Sequence, residues 1–324
     1  MKRLLVLALA ATALLAQAQT YPGSKSVNFV VPFAAGGPTD RVARDLAESM
    51  RKAMPGSNFV VENVNGAGGT IGATKVAKAN PDGHTLLVWH IGMAATAGLY
   101  RKLQYKPLED FEYLGMINDV PMTLIGKPQL PANNYKELMV WVNANKGKIN
   151  LANAGLASAS HLCGMLWQAS IQVDMTTVPY KGTAPAMTDL IGGQVDLMCD
   201  QTTNTTTQIE GKKVKAFGVT TAKRINTPVL KDLPTLDESG AKNFQVTIWH
   251  GLYGPKGLPA DVQTKINAAL KLALKDPEFI KKQEGLGAVV VADKRVEAAD
   301  HKAFVTAEIA KWTPVIKAAG VYAD

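Results

Sequence analysis

The chain has 324 residues, of which 47% are hydrophobic and 19% are charged. This balance excludes a disordered chain, and the length is enough for two domains with a large core. The formal net charge of +8 comes from lysines and arginines that are spread along the chain in runs of at most two. This spread leaves no basic patch or stripe in the sequence, so nucleic-acid binding is not expected.

The first residues have the pattern of a secretory signal peptide. A basic start with Lys2 and Arg3 precedes an uncharged apolar run over 4–16, and small residues flank a cleavage site after Ala18. The apolar run is too short to span a bilayer, which takes about 20 residues. We therefore expect residues 1–18 to be removed on export, which places the mature protein in the periplasm.

After this segment, short β-branched runs alternate with amphipathic runs. Strands are predicted over 27–33, 58–62 and 85–89, and helices over 39–54 and 70–79. This β-α-β-α-β order implies parallel strands that are joined by right-handed helical crossovers.

The middle of the chain repeats the alternation. Strands are predicted over 122–126, 149–152, 176–178, 195–198 and 214–219, and helices over 135–145, 158–170 and 184–191. Two such blocks in a chain of this length predict two α/β lobes.

The last third of the chain is less regular. It contains a predicted strand over 244–253 and predicted helices over 260–274 and 295–319. Because these helices have no sheet of their own, we expect them to cover the sheet of the first block. The first lobe would then comprise 19–120 and 220–324 and the second lobe 121–219, with a hinge at short crossings near Val120 and Thr220.

Signatures of enzymes are mostly missing from the sequence. The five histidines have no metal-ligand spacing, and no nucleotide-binding loop is complete, so neither a metal nor a cofactor is expected. Ser158 and His161 lie one helical turn apart, but no third orienting group accompanies them. We expect a binding protein that is not an enzyme. The alternative is a periplasmic hydrolase that uses Ser158, His161 or Asp200.

Four loops rich in small and hydroxyl residues each follow a predicted strand and precede a predicted helix. They are 34–40, 65–70, 153–160 and 180–185. The first N–H groups of a helix have no internal partners, and the helix dipole makes that end positive. In open α/β sheets such loops gather at the carboxyl ends of the strands. Together they predict a carboxylate site between the lobes, with His90 at the end of the third strand near its mouth.

Five sequence motifs follow one another along the chain. They are VPFAAGGPTD at 31–40, EN and GAGG within 62–69, SASHL at 158–162, VPYKG with APA within 178–186, and GGQVDL with an aspartate within 192–200. In order and spacing these motifs resemble the Bug family, the substrate-binding proteins of tripartite tricarboxylate transporters. The resemblance covers nearly the whole mature chain.

The resemblance implies a two-lobed α/β periplasmic binding protein, of the Venus-flytrap type, with its ligand cleft between the lobes. A small carboxylate would meet the opening loop partly through ordered waters, and the third loop would close over it. Membrane transporter subunits would receive the ligand from a binding protein that we expect to be a monomer. The expected ligand-binding residues are Ala35, Gly36, Gly37, Thr39, Asp40, Gly68 and His90 in the first lobe, and Ala157, Ser158, Ser160, His161, Lys181, Gly182, Thr183 and Asp200 in the second.

Several alternatives stay open from the sequence. Pro38 and Ala157 replace glycines that are common in the family, so the ligand of a relative does not transfer. A di- or tricarboxylate is expected, with an aromatic dicarboxylate such as terephthalate as an option. The protein could also be a ligand-sensing subunit for a signalling partner. Cys163 and Cys199 could form a disulfide or remain two buried thiols.

Overall fold

The computed structural model describes residues 21–318 and residue 320. The predicted signal peptide and the end of the last predicted helix lie outside the described residues. In chain order the helices and strands are β1 (Val27–Val31), α1 (Pro38–Ala53), β2 (Phe59–Asn63), α2 (Thr70–Ala77), β3 (Thr85–His90), α3 (Gly92–Leu99), β4 (Phe111–Gly126), α4 (Tyr135–Ala144), β5 (Asn150–Asn153), α5 (Ala159–Ile171), β6 (Thr176–Pro179), α6 (Thr183–Ile191), β7 (Leu197–Gln201), α7 (Thr202–Glu210), β8 (Lys215–Val219), β9 (Thr247–Pro255), α8 (Ala260–Ala273), α9 (Pro277–Gly285), β10 (Val289–Val290) and α10 (Ala298–Ala318).

The first sheet has the strand order β2-β1-β3-β9-β4. Strands β1, β2 and β3 are parallel, as the alternating pattern predicts, and β9 runs antiparallel to both β3 and β4. Helix α8 packs on α1, and α10 packs on α3 and β4. The C-terminal helices therefore cover elements of the first sheet.

Strand β4 belongs to both sheets. Its first part, from Phe111 to Pro121, pairs with β9, and its last part, from Met122 to Gly126, pairs with β7 and β8. The sequence-based prediction began this strand at Met122 and was wrong about its start. Gly115 and Pro121 interrupt the β-branched pattern in the first part, and pairing with β9 overrides this weak local preference.

The second sheet has the order β8-β4-β7-β5-β6, with β5 parallel to β6 and β7. A disulfide joins Cys163 of α5 to Cys199 of β7, with their Cα atoms 6.0 Å apart. Of the two alternatives that the sequence left open for these cysteines, the structure has the disulfide.

The sequence-based prediction missed three helices of the described part of the chain, namely α3, α7 and α9. Helix α7 is rich in threonine, whose β-branched side chain lowers helix propensity, and α3 has no amphipathic pattern because almost all of it is buried. None of the helices in the described part of the chain is both long and apolar enough to cross a membrane.

Thr220 ties together the segments that pass between the sheets. Its Oγ1 accepts a hydrogen bond from the N–H of Met122 at 3.0 Å and donates to the carbonyl of Val246 at 2.5 Å. Its own backbone N–H donates to the carbonyl of Met122. The predicted hinge positions fall at this junction, and the lobe boundaries themselves stay a prediction.

Candidate ligand-binding cavity between the two sheets

Loops that follow strands of the two sheets touch each other across a cleft. The backbone N–H of Ala34, after β1, donates to the carbonyl of Lys181, after β6, over 3.0 Å. Gly68 lies so close to Leu156 that a Cβ atom at position 68 would stand 1.6 Å from the Leu156 carbonyl oxygen. The structure therefore has the closed arrangement, in which the two sides of the cleft are in direct contact.

The contact closes over a narrow cavity of about 10 Å³, which has room for about one water molecule. The residues that line it are Phe33, Pro38, Thr39, His90, Ala154, Ser158, Ala159, Ser160, Thr183 and Gln201. Five of them were among the expected ligand-binding residues, namely Thr39, His90, Ser158, Ser160 and Thr183. The lining contains hydroxyl, amide and imidazole groups but no lysine, arginine, aspartate or glutamate.

Four helices begin at the cavity wall. Pro38 is the first residue of α1, Ala159 the first of α5 and Thr183 the first of α6, while Gln201 is the residue before α7. Each helix N-terminus acts as roughly half a positive charge, so four of them supply about +2. Pro38 lacks an N–H donor but presets the backbone for a helix start. The cavity is electropositive without a basic side chain.

Two serines of the second-sheet side are held by backbone donors. Ser158 Oγ accepts from the N–H of His161 at 3.2 Å, and Ser160 Oγ accepts from the N–H of Ala154 at 2.8 Å. The two serine oxygens are 3.1 Å apart, so one hydroxyl donates to the other. The proton of the second hydroxyl remains available to the cavity.

Thr183 and Gln201 contribute polar atoms that have no partner. Their residues are only 4% and 2% exposed, yet Thr183 Oγ1 and Gln201 Oε1 make no hydrogen bond within the described part of the chain. An unsatisfied buried polar group costs about 1–3 kcal/mol. Two such atoms in one cavity wall point to a polar ligand or ordered water as their partner.

His90 is an uncharged donor in the wall. Its Nδ1 accepts a hydrogen bond from the backbone N–H of Gly92 at 2.9 Å. Burial lowers the pKa of His90 to about 3, so the ring is neutral at physiological pH. The single ring proton is therefore on Nε2, and this side chain can donate but brings no positive charge.

Asp40 was expected to contact the ligand, and it does not line the cavity. Its carboxylate accepts from the N–H of Gly36 at 2.9 Å, from Arg44 Nε at 2.8 Å and from Asn63 Nδ2 at 2.9 Å. Burial alone would raise the pKa of Asp40, but these hydrogen bonds hold it below its usual value. Asp40 fixes the shape of the opening loop because its acceptor positions are occupied by the protein.

Asp200 also lies outside the cavity lining. It is fully buried, and its Oδ2 accepts from Asn204 Nδ2 at 2.6 Å. Its Oδ1 has no partner among the described residues, and burial raises the pKa of this carboxyl to about 7. The residue that precedes α7 as its cap is Gln201, so Asp200 does not cap this helix.

His161 and Ala157 form the turn behind the cavity and do not form a catalytic pair with Ser158. The N–H of Ala157 lies 3.4 Å from His161 Nδ1, and the imidazole lines a separate pocket beside α5. Burial lowers the pKa of His161 to about 4. Within the described residues, the Ser158 hydroxyl bonds the His161 backbone but not its ring, and no group of three acidic, histidine or cysteine side chains could hold a metal.

The remaining expected residues lie where the loops meet or at the outer end of the cleft. Gly68 and Lys181 line an outer opening of about 740 Å³ that faces solvent. A Cβ atom at Gly182 would stand 2.8 Å from the Ala34 nitrogen, and one at Gly37 would stand 3.2 Å from Thr183 Oγ1. Ala35 and Gly36 are exposed. Gly37 and Gly182 therefore shape the contact between the two loops, and Ala35 and Gly36 flank it.

Sequence-based reasoning missed half of the cavity wall. The missed residues are Phe33, Pro38, Ala154, Ala159 and Gln201. Gln201 could have been found if β7 had been extended past Met198 to its true end, because the wall residues stand where strands end and helices begin. The apolar members carry no chemical signal of their own, so only the structure reveals them.

A two-lobed α/β fold that encloses a polar cavity between its lobes defines a periplasmic solute-binding protein. The model of the tripartite tricarboxylate transporter family receptors matches residues 42–321. The chain belongs to this family, whose members are binding proteins, and it is not an enzyme.

Individual relatives agree with this assignment. A UPF0065 protein from the TAR-I ttuE-ttuC' intergenic region of Agrobacterium vitis is 48% identical over 98% of this chain and 92% of its own. The solved periplasmic binding protein BugD is 52% identical, with a TM-score of 0.90 over 93% of this chain and 99% of its own. MatC of Rhodopseudomonas palustris, solved with bound malate, is 39% identical, with a TM-score of 0.86 over 91% of this chain and 100% of its own.

Proposed function

We propose that this protein captures a small dicarboxylate in the cavity between its lobes and delivers it to the membrane subunits of a tripartite transporter. The observation that carries this proposal is the convergence of four helix N-termini on one buried cavity without a basic side chain. About two positive charges from the helix ends match the two negative charges of a dicarboxylate.

The hydrogen-bond donors of the wall support the same ligand class. A free serine hydroxyl proton, the N–H donor of His90 and the first N–H groups of the helices are donors, which carboxylate oxygens need. MatC, which is similar over nearly the whole chain, holds malate, and malate is a dicarboxylate. We extend this ligand class, but not the particular ligand, to the present protein.

The size of the cavity favours a short dicarboxylate. The touching loops leave a narrow space of about 10 Å³, so a ligand has to widen it, and a four-carbon chain requires less widening than citrate or the rigid ring of terephthalate. A larger ligand would have to hold the loops apart, which would break the contact between Ala34 and Lys181.

Delivery depends on the lobes closing over the ligand. In our account residues 19–120 and 220–324 move as one lobe against residues 121–219, and the membrane subunits recognise the closed form. The ligand can shift this equilibrium only as far as it binds the closed form more tightly. We infer that the chain is exported, that it loses residues 1–18 and that it acts in the periplasm.

A thermal-shift screen of mature protein, unfolded and refolded to strip bound ligand, tests the proposal. The panel holds malate, succinate, adipate, citrate, terephthalate, amino acids and the neutral diamide of succinate. A ligand at 100 times its Kd stabilises the fold by about 2.7 kcal/mol, so four-carbon dicarboxylates should raise the Tm and the diamide should not. No shift with any dicarboxylate contradicts the proposal. Deleting the gene should also abolish growth on the ligand that binds.

A further inference from the structure

A series of hydrogen-bonded polar side chains extends from the cavity into the first lobe. Thr39 Oγ1 lies 3.2 Å from His250 Nε2, and His250 Nδ1 lies 2.9 Å from Asn118 Oδ1. Asn118 Nδ2 donates to Gln283 Oε1 at 2.8 Å, and Gln283 Nε2 donates to Asp45 Oδ2 at 2.8 Å. Only Asp45 is partly exposed, and the other four are buried. We call these five residues the polar relay.

The carboxylate of Asp45 gives the polar relay one direction. Burial raises the pKa of Asp45 above its usual value, whereas Lys282 Nζ at 3.8 Å favours the ionised form. An ionised carboxylate has no proton, so Gln283 must turn its amide N–H toward Asp45 and its carbonyl oxygen toward Asn118. Asn118 must then donate to Gln283 and present its own carbonyl oxygen to the imidazole of His250. The hydrogen on the imidazole is therefore on Nδ1.

The same argument determines the direction in which the Thr39 hydroxyl donates its proton. Burial lowers the pKa of His250 well below its usual value, so the ring is neutral and its Nε2 carries no proton. The Thr39 hydroxyl must donate to Nε2, and only its lone pairs remain for the cavity. In the cavity wall, Thr39 Oγ1 is thus a hydrogen-bond acceptor that has no proton to give.

An acceptor in a carboxylate site constrains the ligand. A carboxylate oxygen is also an acceptor and gains nothing from Thr39 Oγ1, whereas a hydroxyl or ammonium group can donate to it. His90 lines the same cavity as a donor, so a ligand hydroxyl could accept from His90 while it donates to Thr39. No acidic side chain lines the cavity to neutralise an ammonium group, which makes the hydroxyl the better match.

On the basis of the proposed function, we propose that Thr39, oriented by the polar relay, selects a dicarboxylate that carries a hydrogen-bond donor on its carbon chain over the unsubstituted dicarboxylate. The donor is a hydroxyl, as in L-malate, or an ammonium group, as in L-aspartate. Thr39 is on this account a residue that determines specificity, and the four relay residues behind it are positioning residues.

Titration calorimetry of stripped full-length mature protein with L-malate, L-aspartate and succinate tests the proposal. We expect succinate to bind at least about tenfold more weakly than the better of the other two, because it has no donor for the lone pairs of Thr39 Oγ1 and so forms one hydrogen bond fewer. Thr39→Val should remove this difference, and Thr39→Ser, which keeps the hydroxyl, should retain it. Succinate that binds wild-type protein as tightly as both substituted ligands overturns the inference alone. Absence of binding by every dicarboxylate overturns the proposed function.

A variant at the far end of the polar relay separates orientation from simple packing. Asp45→Asn can both donate and accept, so the amides are free to reverse and the Thr39 hydroxyl regains a proton for the cavity. We expect a smaller ratio between the Kd of succinate and the Kd of the substituted ligand than in the wild-type protein. Glu48→Gln is the matched control, because Glu48 also pairs with Lys282 but lies outside the relay. An unchanged preference in Asp45→Asn overturns the role of the polar relay.

Discussion

The backbone N–H of Ala34 and the backbone carbonyl of Lys181 are joined by a hydrogen bond of 3.0 Å that crosses the cleft. Ala34 follows a strand of the first sheet, and Lys181 follows a strand of the second. Both partners are main-chain groups, so the bond requires the two loops to approach without intervening side chains. Closure over a ligand therefore depends on the small residues of these loops.

The approach of Gly68 to Leu156 gives the first prediction. A Cβ atom at position 68 would meet the Leu156 carbonyl oxygen at 1.6 Å, so Gly68→Ala should prevent full closure and weaken ligand binding at least tenfold. Gly56→Ala is the control, because Gly56 also has a positive φ but a Cβ atom added there would meet no atom within 4 Å. Calorimetry should show normal affinity for the control. Equal affinities for the two variants would contradict the closure argument.

Substitution of Thr183 is predicted to lower ligand affinity without lowering the stability of the fold. Its buried Oγ1 has no partner among the described residues, so Thr183→Val should leave the free energy of unfolding unchanged or raise it by about 1 kcal/mol. Ligand affinity should fall about 3- to 10-fold, because the bound ligand loses a hydrogen bond. Urea unfolding and calorimetry on the same preparations measure both quantities.

Thr123 supplies the matched control for Thr183. Its buried Oγ1 donates to Thr205 Oγ1 at 2.8 Å, and it does not line the cavity. Thr123→Val should lower the free energy of unfolding by about 1–3 kcal/mol and leave affinity unchanged. If Thr183→Val destabilises the protein as much as Thr123→Val and binds normally, Thr183 is a structural residue.

The disulfide between Cys163 and Cys199 should stabilise the second lobe. It closes a loop with a sequence separation of 36 residues, for which loop-closure entropy gives roughly 3–4 kcal/mol. The double variant Cys163→Ala with Cys199→Ala should lose about this amount in urea unfolding. Reductant should lower the free energy of unfolding of the wild-type protein toward that of the double variant. It should leave the free energy of unfolding of the variant unchanged. A wild-type protein that is insensitive to reductant under unfolding conditions would argue against this contribution.

Asp200 predicts a pH dependence of stability. Burial raises its pKa to about 7, above the value of about 3.9 for an unfolded chain, so folding favours the protonated carboxyl. Its contribution to stability is fully present below about pH 4 and is lost as the pH rises toward 7. Asp200→Asn cannot ionise, so its stability relative to wild type should rise by roughly 2–3 kcal/mol between pH 5 and pH 7.5. Urea unfolding at both pH values measures this difference. Thr123→Val is the control, because its free energy of unfolding should differ from that of wild type by the same amount at both pH values.

The sequence predicted those parts of the site that local signals encode. Thr39, Ser158 and Thr183 stand at helix starts, and a strand, a loop of small residues and an amphipathic run mark such starts within a few positions. The parallel order of β1, β2 and β3 follows from the same alternation. These predictions needed no knowledge of distant residues.

The sequence could not predict the partners that long-range folding supplies. Asp40 was expected to face the ligand, but Asn63 and Arg44 occupy its oxygens, and Asn63 comes from the end of another strand. Thr39 was expected in the site, yet its hydrogen-bonding polarity depends on His250 and on residues from two further segments. Such orientation is set by tertiary contacts that no local pattern contains.

The most direct test of the account is a calorimetric titration of stripped mature protein with L-malate, succinate and the corresponding neutral diamides. We expect saturable binding of one molecule for at least one of the two dicarboxylates and no binding of either diamide, because the helix N-termini recognise negative charge. The same titration in Gly68→Ala should show much weaker binding. Absence of saturable binding with both dicarboxylates, or equal binding of a diamide, would contradict the central claim that the cavity is a closing dicarboxylate site.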